Sequence, residues 1–386
     1  MDKLTALPPL SLYIHFPWCV QKCPYCDFNS HEIKTGIPED EYVDALLKDL
    51  ENDLPLVWGR KVNTIFMGGG TPSLISPDAM DTLLSGIRAR IPVSPNAEIT
   101  IEANPGTVEN ESIAGFYETG INRISFGVQS FNNEHLKTLG RIHDADAARQ
   151  AVEKAKHAGF NRINVDLMFA LPDETLAQAR YDIESAIALA PSHISYYQLT
   201  IEPNTAFHHN PPTTPDDDTS WEIFQLGKSI LQDAGYDHYE VSAYAKHSDR
   251  CRHNENYWLF GDYLGIGAGA HAKITEGAQQ TITRYRKHKH PKQYLESVSS
   301  SALAGQQKLS DKELTFEFLM NGLRLNNGFQ ADMFCHRTGL KTDALKTLLS
   351  PMIGESLIEW RSDNHIQATS KGKMFLNDIL ERCLPE

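Results

Sequence analysis

What the sequence of 386 residues lacks narrows its functions first. No apolar run approaches the ~18 residues needed to cross a bilayer. The opening MDKLTALPPLSLYIHF has no long apolar core followed by a small-residue cleavage site, so neither a membrane span nor a secretory leader is expected. Basic residues are in deficit: 36 Lys+Arg against 50 Asp+Glu leave −14, a charge that repels duplex nucleic acid. The densest basic stretch, RYRKHKH from Arg284 to His290, reads as a solvated loop. Cysteine is scarce, with six in the chain, too few for a disulfide framework. Half of them crowd together at metal-ligand spacing, which suits a reducing compartment. The expectation is a cytoplasmic protein that binds no nucleic acid and touches membranes at most transiently.

Hydrophobic residues make up 41% of the chain, enough for a sizeable core. Strand-like segments at 11–16, 63–69, 97–103, 123–129, 161–170 and 193–200 alternate with helical ones at 39–54, 76–89, 109–119, 132–138, 144–158, 175–190 and 220–234. Repeated units of this length predict an α/β fold with a parallel sheet, open or curled into a barrel. The strands read as β-branched and apolar, as strands covered on both faces are. Their ends are polar or glycine-rich: Gly68 to Thr71, Glu102 to Pro105, Gln129, Asp166 and Gln198. Such ends match a parallel barrel with its site at the C-terminal rim. A boundary is expected near 303/304, with a core over 1–303 and a small domain over 304–386. There, helices at 311–324 and 341–349 precede a hairpin at 357–369 turned by Ser362 to Asn364, a winged-helix-like arrangement.

The stretch IHFPWCVQKCPYCDFNS carries the chemistry, with Cys19, Cys23 and Cys26 on one loop after the first strand. Three thiolates there can bind three irons of a cubane and leave the fourth iron for an outside ligand. A zinc site completed by His15 or His31 is the competing reading. A c-type haem attachment needs His after the last cysteine, where this chain has Asp27.

The spacing Cys-x3-Cys-x2-Cys, with aromatic Tyr25 before its last cysteine, resembles the radical S-adenosylmethionine (SAM) family. That resemblance implies a [4Fe-4S] cluster on Cys19, Cys23 and Cys26, with SAM chelating the open iron. It also implies that an electron from the cluster can cleave SAM to methionine and a 5′-deoxyadenosyl radical. Gly69, Gly70 and Thr71 resemble the family's glycine-rich strand end, which lets the backbone approach SAM. Glu102 resembles its carboxylate near the ribose. Tyr13, Tyr25, Gln129, Arg141 and Asp166 fall at further SAM-contacting places, and Thr200 and His271 align more loosely.

Within the family the chain looks most like the branch that holds oxygen-independent coproporphyrinogen III oxidases (HemN) and haem chaperones (HemW). The oxidase motif continues to a further cysteine where this chain has Phe28, and His253-Asn254-Glu255-Asn256-Tyr257 matches the chaperones' HNxxY motif. The resemblance thus implies a haem chaperone, with haem as cargo near His253 and Tyr257. Haem-accepting proteins, respiratory enzymes among them, and an electron donor are the implied partners. A homodimer is allowed. An oxidase that decarboxylates porphyrinogen propionates is the alternative, and a zinc-stabilised binding module is the third reading. Cys251 lies two residues from His253; Cys335 and Cys383 read as buried or half-buried thiols.

Overall fold

A computed structural model of the chain describes residues 4, 6–34, 36–107, 110–246 and 249–385. Strand and helix alternate through β1 (Leu10–Phe16), the short β2 (Trp18–Cys19) and β3 (His31–Glu32), α1 (Glu39–Asp53), β4 (Val62–Gly69), α2 (Pro77–Arg90) and β5 (Val93–Ala103). They continue through α3 (Asn110–Glu118), β6 (Arg123–Gln129), α4 (Asn133–Thr138), α5 (Ala145–Ala158), β7 (Ile163–Phe169), α6 (Leu176–Ala188) and β8 (His193–Gln198). Local chemistry sets the helix limits. Asp144 accepts the Ala147 N–H ahead of α5, and Gly159 ends that helix at φ 106°. Thr175 and Gln178 form a reciprocal capping box at α6.

Strands β1, β4, β5, β6, β7 and β8 lie side by side in chain order and are all parallel. Helical crossovers between them make this possible. The chain then adds α7 (Ala206–His209), α8 (Asp217–Asp233), β9 (Asp237–Glu240), β10 (Ala243–Ala245) and α9 (Arg252–Trp258). Next come β11 (Asp262–Ile266), β12 (His271–Glu276), β13 (Thr281–Lys287), α10 (Pro291–Ser297) and β14 (Leu303–Lys308). β11 returns to pair parallel with β1, and β12, β13 and β14 extend that side antiparallel. β10 and β9 extend the other side, which gives an open, mixed sheet of 12 strands.

Three expectations are corrected here. The parallel strands are apolar on one face only. Ile99, Ile101, Ile124, Phe126, Val165, Leu167 and Ile194 are buried in the core. The intervening Thr100, Glu102, Ser125, Asn164, Asp166, His193 and Ser195 line an internal cavity. Side chains two apart share a face, so polar residues at every second place follow from that cavity. β7 also runs past Asp166 to Phe169 rather than ending there. The basic stretch after Thr283 is no solvated loop either. It is largely β13, where Lys287 is buried against Asp49 (2.6 Å) and Asp53 (2.8 Å), and the Arg284 Nε donates to Glu317 at 3.0 Å. Acidic partners on α1 and beyond compensate the buried charge.

The C-terminal part contains α11 (Asp311–Gly322), β15 (Phe329–Gln330), α12 (Ala331–Thr338), α13 (Thr342–Gly354), β16 (Ile358–Trp360), β17 (His365–Ala368), α14 (Ser370–Met374) and α15 (Leu376–Glu381). Its helices pack on a three-stranded sheet ordered β15-β17-β16 around Phe318, Phe334, Leu345 and Ile366. The division expected at 303/304 falls at the start of β14, which belongs to the large sheet, and the second core begins at Leu309. Phe260 and Ile282 of the large unit join that second core.

One buried cluster on the sheet's outer side bears on stability. His135, Glu174 and Asp182 bring one ligand-type atom each within 4.8 Å of one another. Asp182 accepts from Ser130 Oγ (2.6 Å) and Phe131 N (2.7 Å), whereas Glu174 Oε1 and His135 Nδ1 have no hydrogen-bond partner. Burial pushes the Glu174 carboxyl up to about 8. A folded-state value above the unfolded one means that stability falls as pH rises from about 4.5 through about 8. Gln keeps an acceptor for the Leu171 N–H, which Glu174 now takes at 3.0 Å, and does not ionise. Glu174→Gln is therefore expected to raise the thermal midpoint at pH 9 by the equivalent of roughly 2–4 kcal/mol, with a smaller gain at pH 6. Equal gains at both pH values, or a loss at pH 9, in parallel melting curves would remove this account.

Candidate cluster and cofactor site

Cys19 ends β2, and Cys23 and Cys26 follow on the loop to β3, all three half-buried. The loop is held at both ends. His31 N donates to Pro17 O (2.7 Å), and the Asn29 Nδ2 donates to Ala268 O and Lys289 O, each at 2.9 Å. Donors face the sulfurs: Thr71 Oγ1 lies 3.5 Å from Cys19 Sγ, and Arg141 Nη1 lies 3.4 Å from Cys23 Sγ. Burial pushes the Cys19 and Cys26 thiols up. Burial opposes the Arg141 charge, but the neighbouring Tyr25 and Cys23 outweigh it and raise the guanidinium above its ordinary value.

Among the described residues, no combination of these cysteines with each other or with a His, Asp or Glu brings three ligand atoms within 4.8 Å. Three thiolates on one tetrahedral zinc stand about 3.8 Å apart, given a Zn–S bond near 2.3 Å. The wider spread, with one loop as the sole source of thiols, fits a multi-iron group better than a single ion. Neither His15 nor His31 closes a compact set with them.

A cavity of about 560 Å³ opens beside this loop at the C-terminal ends of the parallel strands. It brings together Cys19, Cys23, Cys26, Tyr25, Gly69, Gly70, Thr71, Glu102, Gln129, Arg141, Asp166 and Thr200. The glycines are needed for close packing: a Cβ on Gly70 would lie 2.4 Å from Trp18 O, and one on Gly69 (φ 115°) would lie 2.5 Å from the His15 ring. Glu102 Oε2 accepts from Gly69 N at 3.2 Å. Burial, and next the charge of Asp166, push the Glu102 carboxyl up to about 8. Asp166 accepts from Ser125 Oγ (3.1 Å) and Asn164 Nδ2 (2.7 Å), and burial raises it despite these bonds. Thr100 Oγ1 and Arg141 Nε are buried without a hydrogen-bond partner. Two half-buried acids, an amide and unpaired donors suit a ligand that carries cationic and hydroxyl groups, as SAM does.

Tyr13 and His271 stand elsewhere. Both line a second cavity of about 620 Å³, which shares Phe28, Gly69 and Glu102 with the first. Tyr257 lines it as well. His253 reaches neither cavity. It is 1% exposed, with Nδ1 2.9 Å from Thr64 Oγ1 and Nε2 2.8 Å from the Tyr257 hydroxyl. In this arrangement it holds Tyr257 in place rather than facing a ligand. Cys251 is buried, and its thiol lies 3.7 Å from Glu98 Oε1.

Sequence reasoning missed Ser125, Asn164, His193 and Ser195, which floor the first cavity. Asn164 ties them together, bonding to Ser125 Oγ (2.8 Å), Ser195 Oγ (3.1 Å) and His193 Nδ1 (2.5 Å). Their signal was the period-two placement of polar residues in RISFGVQ, INVDLMF and HISYYQ.

Comparison with known proteins follows the same lines. Residues 13–186 match the radical SAM superfamily, and residues 309–375 match the HemN C-terminal domain. The heme chaperone HemW of Escherichia coli (strain K12) is 50% identical over 383 residues, 99% of this chain and 100% of the relative. That of Haemophilus influenzae is 50% identical over 98% of this chain and 99% of the relative. The chain belongs to the HemW family. The HemW of Bacillus subtilis is 32% identical over 97% of this chain and 99% of its own length. The solved coproporphyrinogen III oxidase (HemN) of Escherichia coli, itself a radical SAM enzyme, superimposes with a TM-score of 0.83 at 24% identity. That match covers 98% of this HemW-family chain and 90% of the oxidase, and it establishes the fold. Among the described residues, no helix is long and apolar enough to cross a membrane.

Proposed function

We propose that this HemW-family chain is a cytoplasmic haem carrier, with a [4Fe-4S] cluster on Cys19, Cys23 and Cys26 and SAM in the adjoining cavity. The observation that carries this reading is the full-length identity to bacterial heme chaperones. A [4Fe-4S] cluster at that loop supplies one-electron transfer at the cavity's edge. The chain's own residues do the rest. Thr71 and Arg141 donate to the sulfurs of Cys19 and Cys23 and offset their anionic charge. Gly69 and Gly70 bring backbone close to the ligand. Glu102, Gln129, Asp166, Tyr25 and Thr200 orient SAM. An outside electron donor, haem-accepting proteins such as respiratory enzymes, transient membrane contact and a homodimer belong to the same proposal.

The oxidase reading is not favoured. Where the oxidase motif has a cysteine, Phe28 presents a ring that is 60% exposed at the junction of the two cavities. The test uses anaerobically reconstituted protein. It is expected to bind haem one to one and release it to a haem-free b-type cytochrome. With SAM, reductant and coproporphyrinogen III it is expected to form no protoporphyrinogen above a cluster-free control. Sustained product formation would reinstate the oxidase, and absence of haem binding would end the carrier assignment.

A further inference from the structure

The second cavity lies between β11–β13 and α11 and is bordered by Phe28, two residues past the last cluster cysteine. Part of its wall is aromatic, beside the charged Glu102, Lys273, Arg284 and Lys289. Tyr257 and Tyr263 pack edge to face with ring centroids 4.5 Å apart, and Trp258 and Phe260 continue the surface. Met320 of α11 closes it from the C-terminal unit. A volume of about 620 Å³ with aromatic rings on its wall and cationic groups at its border suits a macrocycle that carries carboxylates.

Three histidines stand in or beside this space, and their hydrogen bonds separate them. The His15 ring is committed at both nitrogens, Nδ1 at 3.0 Å from the Tyr13 hydroxyl and Nε2 at 2.8 Å from Asn29 O. His253 is committed at both nitrogens and buried. His271, at the start of β12, is exposed and lines the cavity, and its ring makes no hydrogen bond among the described residues. Iron needs a neutral imidazole with a free lone pair. Partial burial, and next the charges of Arg284, Lys289 and Arg286, hold His271 below its ordinary value, so it is neutral near pH 7. Of these cations Arg284 and Lys289 line the cavity, and Arg284 is paired with Glu317, which leaves Lys289 to meet an anionic ligand. Lys289 is exposed, and its ammonium has no ion-pair partner among the described residues.

We propose that the second cavity seats the carried iron porphyrin, with His271 as an axial ligand of its iron and Lys289 at one of its carboxylates. This rests on the haem-carrying reading and assigns the place and the ligand. The shared border at Phe28, Gly69 and Glu102 sets the cargo directly beside the cofactor cavity. His253 serves as a positioning residue through its bond to the Tyr257 phenol.

The test titrates ferric haem into cluster-loaded protein and follows it by electron paramagnetic resonance, where the oxidised cluster is silent. Wild type is expected to give an imidazole-ligated haem signal. His271→Ala is expected to lose that signal and bind about tenfold more weakly or worse. Added imidazole is expected to restore the signal. Lys289→Gln is expected to weaken binding about threefold at low salt, with the signal unchanged. His253→Gln, which keeps a group able to bond Thr64 and Tyr257, is expected to keep the signal. Iron and sulfide content checks that each variant is folded. An unchanged signal and affinity in His271→Ala, or loss of the signal in His253→Gln alone, would overturn the assignment of His271. A wild-type protein that binds no haem would overturn the carrier reading as well.

Discussion

Alanine at Cys19, Cys23 or Cys26, one at a time, is expected to give a folded chain that retains almost no iron or sulfide after anaerobic reconstitution. Wild type is expected to hold about four irons per chain under the same conditions. The loss is all-or-none because the loop offers no spare thiol. Of the other cysteines, Cys251 borders the first cavity but is buried with its thiol 3.7 Å from Glu98 Oε1, Cys383 is buried and Cys335 is on α12. The fold survives because the three thiols are half-buried on a rim loop whose anchors are backbone bonds and Asn29, not sulfur. Cys383→Ala provides the contrast and keeps full iron content. Iron and sulfide assays beside circular dichroism decide the matter. Full cluster content in any loop variant, or one zinc per chain in wild type, would refute the ligand assignment.

Asp262→Asn is expected to destabilise the protein by about 3–5 kcal/mol at pH 7, the usual penalty for breaking a buried ion network from one side. Asp262 is fully buried at the head of β11. It accepts from Arg60 Nη1 (2.8 Å), Lys273 Nζ (3.0 Å), Thr275 N (2.9 Å) and Thr275 Oγ1 (2.8 Å). The neutral amide has one acceptor oxygen and leaves Lys273 and Arg60 uncompensated. Burial works against ionisation of Asp262, yet Lys273 and Arg60 outweigh it and hold the carboxyl below its ordinary value. Its contribution is thus present above pH 3.8 and is lost as pH falls through the lower folded value. Denaturant unfolding at pH 7 and pH 3 is expected to show the gap between variant and wild type narrowing with acid. A gap that is constant with pH would assign the loss to packing. Because Lys273 also lines the second cavity, haem affinity is expected to fall in the same variant.

The first half of the chain was legible because its signals are local. β6 was bounded correctly at both ends, and most helices from α1 to α6 lie within two residues of their expected limits. The region from 237 to 308 gave no such signal. β13 and β14 carry Arg, Lys and Gln where an apolar face is sought, and Lys287 and Lys273 are buried only because Asp49, Asp53 and Asp262 meet them from distant elements. Ion pairs across 238 residues leave no periodicity in a window of ten. The cysteines and the glycine run were readable because their chemistry is fixed by residue type and spacing. The placement of Tyr13, His253 and His271 was not, since it depends on which distant elements the folded chain sets beside each ring.

The pairing of β1 with β11 also sets an order of events in time. The strand that leads into the cysteine loop has Leu10 beside Asp262 and Ile14 beside Ile266, and Asn29 bonds to the carbonyl of Lys289. A ribosome adding ~5–20 residues per second reaches that lysine roughly 13–53 s after it adds Cys26. Until then the three thiols hang on an unfinished edge. A closed receiving loop is thus expected only well after the thiols have emerged, which would make iron loading a late step for a nascent chain.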